Sequence, residues 1–191
     1  MKLQSVSFKC SKSISTFFAI AVFSLCSVAN VSADPITPEV QAKVDQYKKK
    51  LQEWATNPVL IDAVMASNAK GGLVADMTNA KWEELKGDSP VVSSFQTSAA
   101  GKYLTGLEQD KGINKLYARD EKGNLVAGSN KPAVYNVADR PPFKNAIMGK
   151  VYADAETKAD PSTHKVSIQV SAPILSAGKT IGVLHTAVNA N

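Results

Sequence analysis

The chain of 191 residues has little of what chemistry usually needs: two Cys, two His, two Trp and two Arg. Both cysteines, Cys10 and Cys26, fall within the first 33 residues. The rest of the chain can therefore form no disulfide and offers no thiolate. With His164 and His185 as its only imidazoles, it offers a poor transition-metal set. Asp154, Glu156 and Asp160 lack the spacing of a dedicated calcium loop. No Gly-x-Ser-x-Gly, His-Glu-x-x-His or glycine-rich phosphate loop occurs, so few pairs of nucleophile and base can be drawn. The sequence calls for no cofactor and no metal, and it does not predict an enzyme.

Long apolar runs are also absent, apart from one near the start. Residues 1–12 carry Lys2, Lys9 and Lys12 with no acid, Ile14 to Val28 is largely apolar, and Val31-Ser32-Ala33 presents small residues. This is the layout of a secretory signal peptide cleaved after Ala33. The run is shorter than the ~20 residues of a spanning helix and is broken by Ser15, Thr16 and Ser24. Leu25 before Cys26 argues against lipidation. The expectation is a mature form that does not span the membrane, in the periplasm or secreted.

Removing residues 1–33 leaves 158, enough for one domain at 34–191. Three of the 22 Lys and Arg leave with the signal, so 19 stand against 17 acids and the net charge falls from +5 to about +2. That small surplus predicts no nucleic-acid partner.

Thr37-Pro38 starts a helix: a capping hydroxyl, then Pro at the first position. Val40, Val44, Tyr47, Leu51 and Trp54 form one apolar stripe. The stripe packs a core or forms a dimer seam, which leaves a homodimer open. Asn57-Pro58 marks a kink or restart, so a long N-terminal helical segment covers 34–70, ending at Lys70-Gly71-Gly72. Two more helices follow, over 78–86 and 90–108. The period then changes. Ile113 to Arg119 and Leu125 to Ser129 make a hairpin about Asp120-Glu121-Lys122-Gly123-Asn124. Val166, Ile168, Val170 and Ala172 alternate with Ser167, Gln169 and Ser171, and Ile181 to Val188 closes the sheet over 113–190. The fold class is α+β.

Four of these segments, in order, carry a resemblance. Leu116 to Ala127 resembles the hairpin of Cache domains, the PDC or extracytoplasmic PAS-like sensors. Asp139-Arg140-Pro141-Pro142-Phe143 is similar to their Asp-Arg-Pro-Tyr-Phe loop. Val166 to Ile174, ending in Pro173-Ile174, and Lys179 to Leu184 with its Gly182 resemble their last two strands. The resemblance spans about 37–190 and implies a central antiparallel PAS-like sheet. The long helix would pack on one face, and the loop after the hairpin would roof a small-molecule pocket on the other. It also implies a sensing role. Because the sequence stops soon after the sheet, the expectation is a free-standing single module acting with an envelope receptor or sensor kinase.

The site residues follow from the same resemblance. Arg140, whose guanidinium is a fork that matches a carboxylate and whose loop is rigidified by Pro141 and Pro142, is the expected anchor, with Tyr135 in a Tyr-then-Arg pattern and Phe143 as an aromatic wall. Tyr152 and Asp154 resemble the Tyr-x-Asp element that faces a ligand ammonium, while Ala187 stands where a second acid is expected. Tyr117 lines the pocket or packs; Ser171 and Gln169 lie on the polar strand face. The alternative for Arg140 is a structural ion pair with Asp139 or Asp154. Arg119 is expected at the surface, paired with Asp120 or Glu121; His185 is expected in the core and His164 exposed. The implied ligand is a small carboxylate or an amino acid. The rival is a protein-interaction module that uses the Val40–Trp54 stripe.

Overall fold

A computed structural model describes residues 36–160 and 164–190; the expected signal peptide lies outside the described residues. Helix α1 (Pro38–Trp54) is capped by the Thr37 hydroxyl, which accepts from the Val40 amide. Helix α2 (Pro58–Lys70) restarts after a short break, with the Asn57 side chain accepting from the Val59 amide at 2.9 Å. Gly71 ends α2 at φ +71, a left-handed cap that favours glycine. Helix α3 spans Asn79–Glu84.

The single helix expected over 90–108 is two helices, α4 (Pro90–Thr97) and α5 (Ala99–Leu107). Ser98 is extended between them, and its hydroxyl accepts from the Gly101 amide at 3.0 Å. A Cβ on Gly101 would stand 2.2 Å from the Phe95 carbonyl, so the bend needs a glycine there.

Strands β1 (Ile113–Asp120) and β2 (Leu125–Gly128) form the expected hairpin. Helix α6 (Pro141–Ile147) and the short strands β3 (Tyr152–Ala153) and β4 (Lys158–Ala159) precede β5 (Val166–Ser176) and β6 (Lys179–Asn189). The last two strands are longer than the sequence pattern indicates. The order β2-β1-β6-β5-β3 is antiparallel throughout, with β4 also on β5.

The two faces of the sheet divide the molecule. Leu116, Ala118, Ile168, Val170, Ala172, Ile174, Leu184 and Val188 point to the helix side and join Val44, Tyr47, Leu51, Leu60 and Val64 in the main core. The α1 stripe is thus core packing, with Trp54 only partly buried. Gly182 lets α2 lie close: a Cβ there would meet the Arg119 carbonyl at 2.3 Å and Val64 Cγ1 at 2.7 Å. The other face, with Lys115, Tyr117, Arg119, Gln169 and His185, is left to the loop and to α6.

Asp110 ties α1 to the start of β1. It accepts from the Tyr47 hydroxyl and the Lys50 ammonium, both at 2.6 Å, and from the Gly112 amide at 3.0 Å. Burial opposes its ionisation, but the bonds from Lys50, Tyr47 and Gly112 outweigh burial and bring its pKa down to about 2. A carboxyl with a depressed folded pKa stabilises above its unfolded value, near 3.8, and loses that contribution as pH falls through 2. Solvent screening limits the term to about 1 kcal/mol. In acid titrations followed by circular dichroism, Asp110→Asn should remove this part of the stability loss between about pH 4 and 2. An unchanged acid profile would mean the bonds are not maintained in solution.

Candidate functional site

A cavity of about 310 Å³ lies over the free face of the sheet. Its floor is set by strand register: Tyr117 of β1 and Ser171 of β5 both stand opposite His185 of β6, Arg119 stands opposite Val183, and Gln169 stands opposite Ala187. Its roof is the loop from Pro132 through Val137 to the start of α6, and its wall is the β3–β4 segment.

Arg140 closes the loop. It is the N-cap residue of α6, extended at φ −86 and ψ 138, and Pro141 and Pro142 fix the first helical turn. Its side chain lines the cavity at the solvent edge and makes no hydrogen bond or ion pair among the described residues. The ion pairs weighed against it are taken by others: Asp139 stands 3.8 Å from Lys144, and Asp154 stands 4.0 Å from Lys158. Phe143 lines the cavity while packing with Val137, Ala146 and Val183 beneath α6.

Asp154 and Tyr117 also line the cavity. Burial raises the Asp154 pKa against the pull of Lys158. Tyr117 donates its hydroxyl to the Asn130 side-chain oxygen Oδ1, which ties the floor to the loop. Tyr152 sits half-buried on β3 and is not part of the lining; burial and the neighbouring Asp154 carboxylate raise its hydroxyl pKa.

Besides Tyr152, two more expected ligand residues lie outside the lining. Tyr135 points into an aromatic cluster with Trp82 and Phe95, at ring separations of 5.6 and 6.2 Å. Only its carbonyl faces the site, accepting from Arg119. The reason is local: the loop chain pairs with β2, Leu125 N–H bonding the Tyr135 carbonyl, and this turns the ring away. Ser171 is fully buried and donates to the Pro142 carbonyl at 2.8 Å. It pins the start of α6 to β5 and does not line the cavity.

Three residues exceed or overturn expectation. Arg119 is not at the surface: it is 1% exposed, lines the cavity floor, and lies 5.4 Å from the Tyr117 ring centre. Burial lowers its pKa to about 10, which leaves it charged at neutral pH. His185 is buried but on the cavity floor, edge-on to Tyr117 at 5.5 Å. Burial first, then Arg119, Lys115 and Arg140, hold it well below its ordinary pKa, so it is neutral at pH 7. Asp160 is buried in an ion pair with Lys115. The sequence did carry a signal for this cluster, since Lys115, Tyr117 and Arg119 share one strand parity. The lining thus holds four cations (Lys115, Arg119, Arg140 and Lys158) and two acids, each acid with a lysine partner.

No family model and no curated protein matches the chain. Among solved structures, it is similar to the sensor domain of the Vibrio cholerae histidine kinase DctB, at 17% identity and a TM-score of 0.54 over 78% of this chain and 50% of that one. It is more distantly similar to the Pseudomonas aeruginosa PAO1 amino acid chemoreceptor PctC ligand-binding domain in complex with GABA, at 13% and 0.44 over 79% and 55%. A third is the Campylobacter jejuni chemoreceptor Tlp3 sensory domain with isoleucine bound, at 16% and 0.39 over 81% and 64%. The chain thus spans half the length of the DctB domain and under two thirds of the other two. Among the described residues no helix is long and apolar enough to cross a membrane. Helices on one face of a β2-β1-β6-β5-β3 antiparallel sheet, a loop-roofed cavity on the other and the DctB match lead to one conclusion: the chain has the fold of a Cache, or PDC, sensor domain.

Proposed function

We propose that this protein is exported and binds a small carboxylate-bearing molecule, an organic acid or an amino acid, in the cavity over its sheet. It presents the bound state to a signalling partner such as an envelope receptor or sensor kinase. The observation that carries this reading is Arg140, a guanidinium at the mouth of the cavity with no protein partner among the described residues. A fork-shaped cation left free beside a site where cations outnumber acids is matched by a carboxylate.

The mechanism is a population shift. A ligand held by Arg140 favours loop conformations in which α6 sits closed on β5 and β6, and the Ser171–Pro142 hydrogen bond serves as the hinge-side tether. Binding fits the lining, whose two acids are each paired with a lysine. An interaction module using the Val40–Trp54 stripe has less support, because Val44, Tyr47 and Leu51 are occupied in the core.

A thermal-shift screen of the purified protein against organic acids and amino acids tests the reading. A ligand at 100 times its dissociation constant stabilises by about 2.7 kcal/mol, roughly 5–10 °C for a domain of this size. Arg140→Ala should weaken the hit by roughly 10–100-fold. A hit untouched by the substitution would move the site, and no hit of either class would favour the interaction module.

A further inference from the structure

Of the 22 cationic side chains in the whole sequence, 20 are Lys and two are Arg, and both Arg line this one cavity. Arg140 is at the mouth. Arg119 is at the bottom, in the middle of the sheet, with no solvent to share its charge. A buried guanidinium ordinarily meets a carboxylate, because an unpaired charge away from water is costly.

Arg119 makes no ion pair among the described residues; the neighbouring Asp120 carboxylate acts on it only through space and is bonded to Ser67, Lys122 and Asn124. Its terminal nitrogens reach the carbonyls of Val134 and Tyr135, its plane lies over the Tyr117 ring, and its Nε is buried without a partner. The cavity acids are committed elsewhere, Asp160 to Lys115 and Asp154 to Lys158. His185, on the diagonal from Arg119 across β1 and β6, is neutral and supplies no counter-charge. Ala187, in the final strand, is apolar and buried.

We propose that Arg119 is the buried anchor of the ligand, which enters with its carboxylate toward the sheet and carries no ammonium at that end, while Arg140 closes on it from the mouth. This rests on the carboxylate reading above and deepens it. Once the roof opens, a carboxylate that reaches the Arg119 guanidinium supplies the missing charge and an acceptor for the buried Nε together. An ammonium at the same depth would stand beside Arg119 and Lys115 with no free acid to meet it. Neutral His185 and Gln169 remain for an uncharged polar group on the ligand. Because Arg119 also holds the Val134 and Tyr135 carbonyls, occupancy of the floor is coupled directly to the roof.

The scarcity of arginine makes the test direct. Protein labelled with ¹⁵N at arginine alone gives two Nε–Hε signals, and Arg140→Lys assigns them. The probes are sodium propionate, sodium L-lactate and L-alanine, which share a carbon frame and differ in bearing hydrogen, hydroxyl or ammonium beside the carboxylate. Lactate or propionate should shift both signals and slow hydrogen exchange at Arg119, while L-alanine leaves Arg119 unmoved. Arg119→Lys, folded by circular dichroism, should bind the organic acid about a hundredfold more weakly. If only Arg140 responds, Arg119 is a strut for the roof and the proposal fails while the carboxylate reading stands. If L-alanine moves Arg119 as strongly as lactate, the exclusion of an ammonium is wrong. If neither arginine responds to any probe, both readings fall.

Discussion

Trp82→Ala should destabilise this domain by about 3–5 kcal/mol, lowering its melting temperature by roughly 6–20 °C. The indole is fully buried and packs against Phe95 and Tyr135, each at 5.6 Å between ring centres. Its Nε1–H donates to the Pro132 carbonyl at 2.8 Å. Truncation therefore leaves a cavity and an unpaired carbonyl together, and the two costs add. Pro132 lies in the cavity roof, so the same substitution should also weaken ligand binding although Trp82 touches no ligand. Trp82→Phe keeps a ring and loses the hydrogen bond, and it should cost about 1–2 kcal/mol. Denaturant unfolding measures both. A loss below about 1 kcal/mol for the alanine variant would show that the aromatic cluster does not support the roof.

Asp120→Ala should cost about 3–4 kcal/mol, since bonds to a charged acceptor are worth more than neutral ones. Its carboxylate is buried at the end of β1 and accepts from the Lys122 and Asn124 amides, the Asn124 side chain and the Ser67 hydroxyl, at 2.9 to 3.1 Å. Ser67 is on α2, so one side chain shapes the hairpin turn and fastens it to the helix layer. Asn68 reinforces the join by accepting from the Glu121 amide and donating to the Ile181 carbonyl. Asp120→Asn keeps one acceptor oxygen but sets an amide against the donor of Asn124. About half the loss is expected, read from denaturant midpoints at constant slope. If the alanine variant unfolds at the wild-type midpoint, the backbone alone holds the turn.

Arg119 shows where sequence reading stops. Its strand, its parity with Lys115 and Tyr117, and the turn beside it are all visible in the sequence. A charge next to a turn ordinarily finds water, but Arg119 does not. Whether a strand face meets water depends on what folds back over it, and here that is a loop more than a dozen residues later in the chain. Tyr135 differs from expectation for a related reason: the Tyr-then-Arg spacing is a chain property, but pairing with β2 decides that the carbonyl and not the ring faces the site. Ser171 lies on the predicted face and is taken by Pro142, a contact 29 residues away in sequence. The strands β3 and β4, two residues each, are too short to show any period.

By itself the sequence determined the elements whose causes are local. Thr37, Asn57 and Ser89 cap helices opened by prolines, the α1 stripe has helical spacing, and β5 alternates. These depend on neighbours within about a turn of helix or one strand pair. It also fixed the turn that follows Arg140, because Pro141 and Pro142 restrict the start of α6. Only the tertiary structure decided that both arginines share one cavity, that the acids there are already paired and that His185 stays neutral. Each of those facts is a balance of burial against charges brought together from distant parts of the chain, and local sequence does not encode which groups will meet.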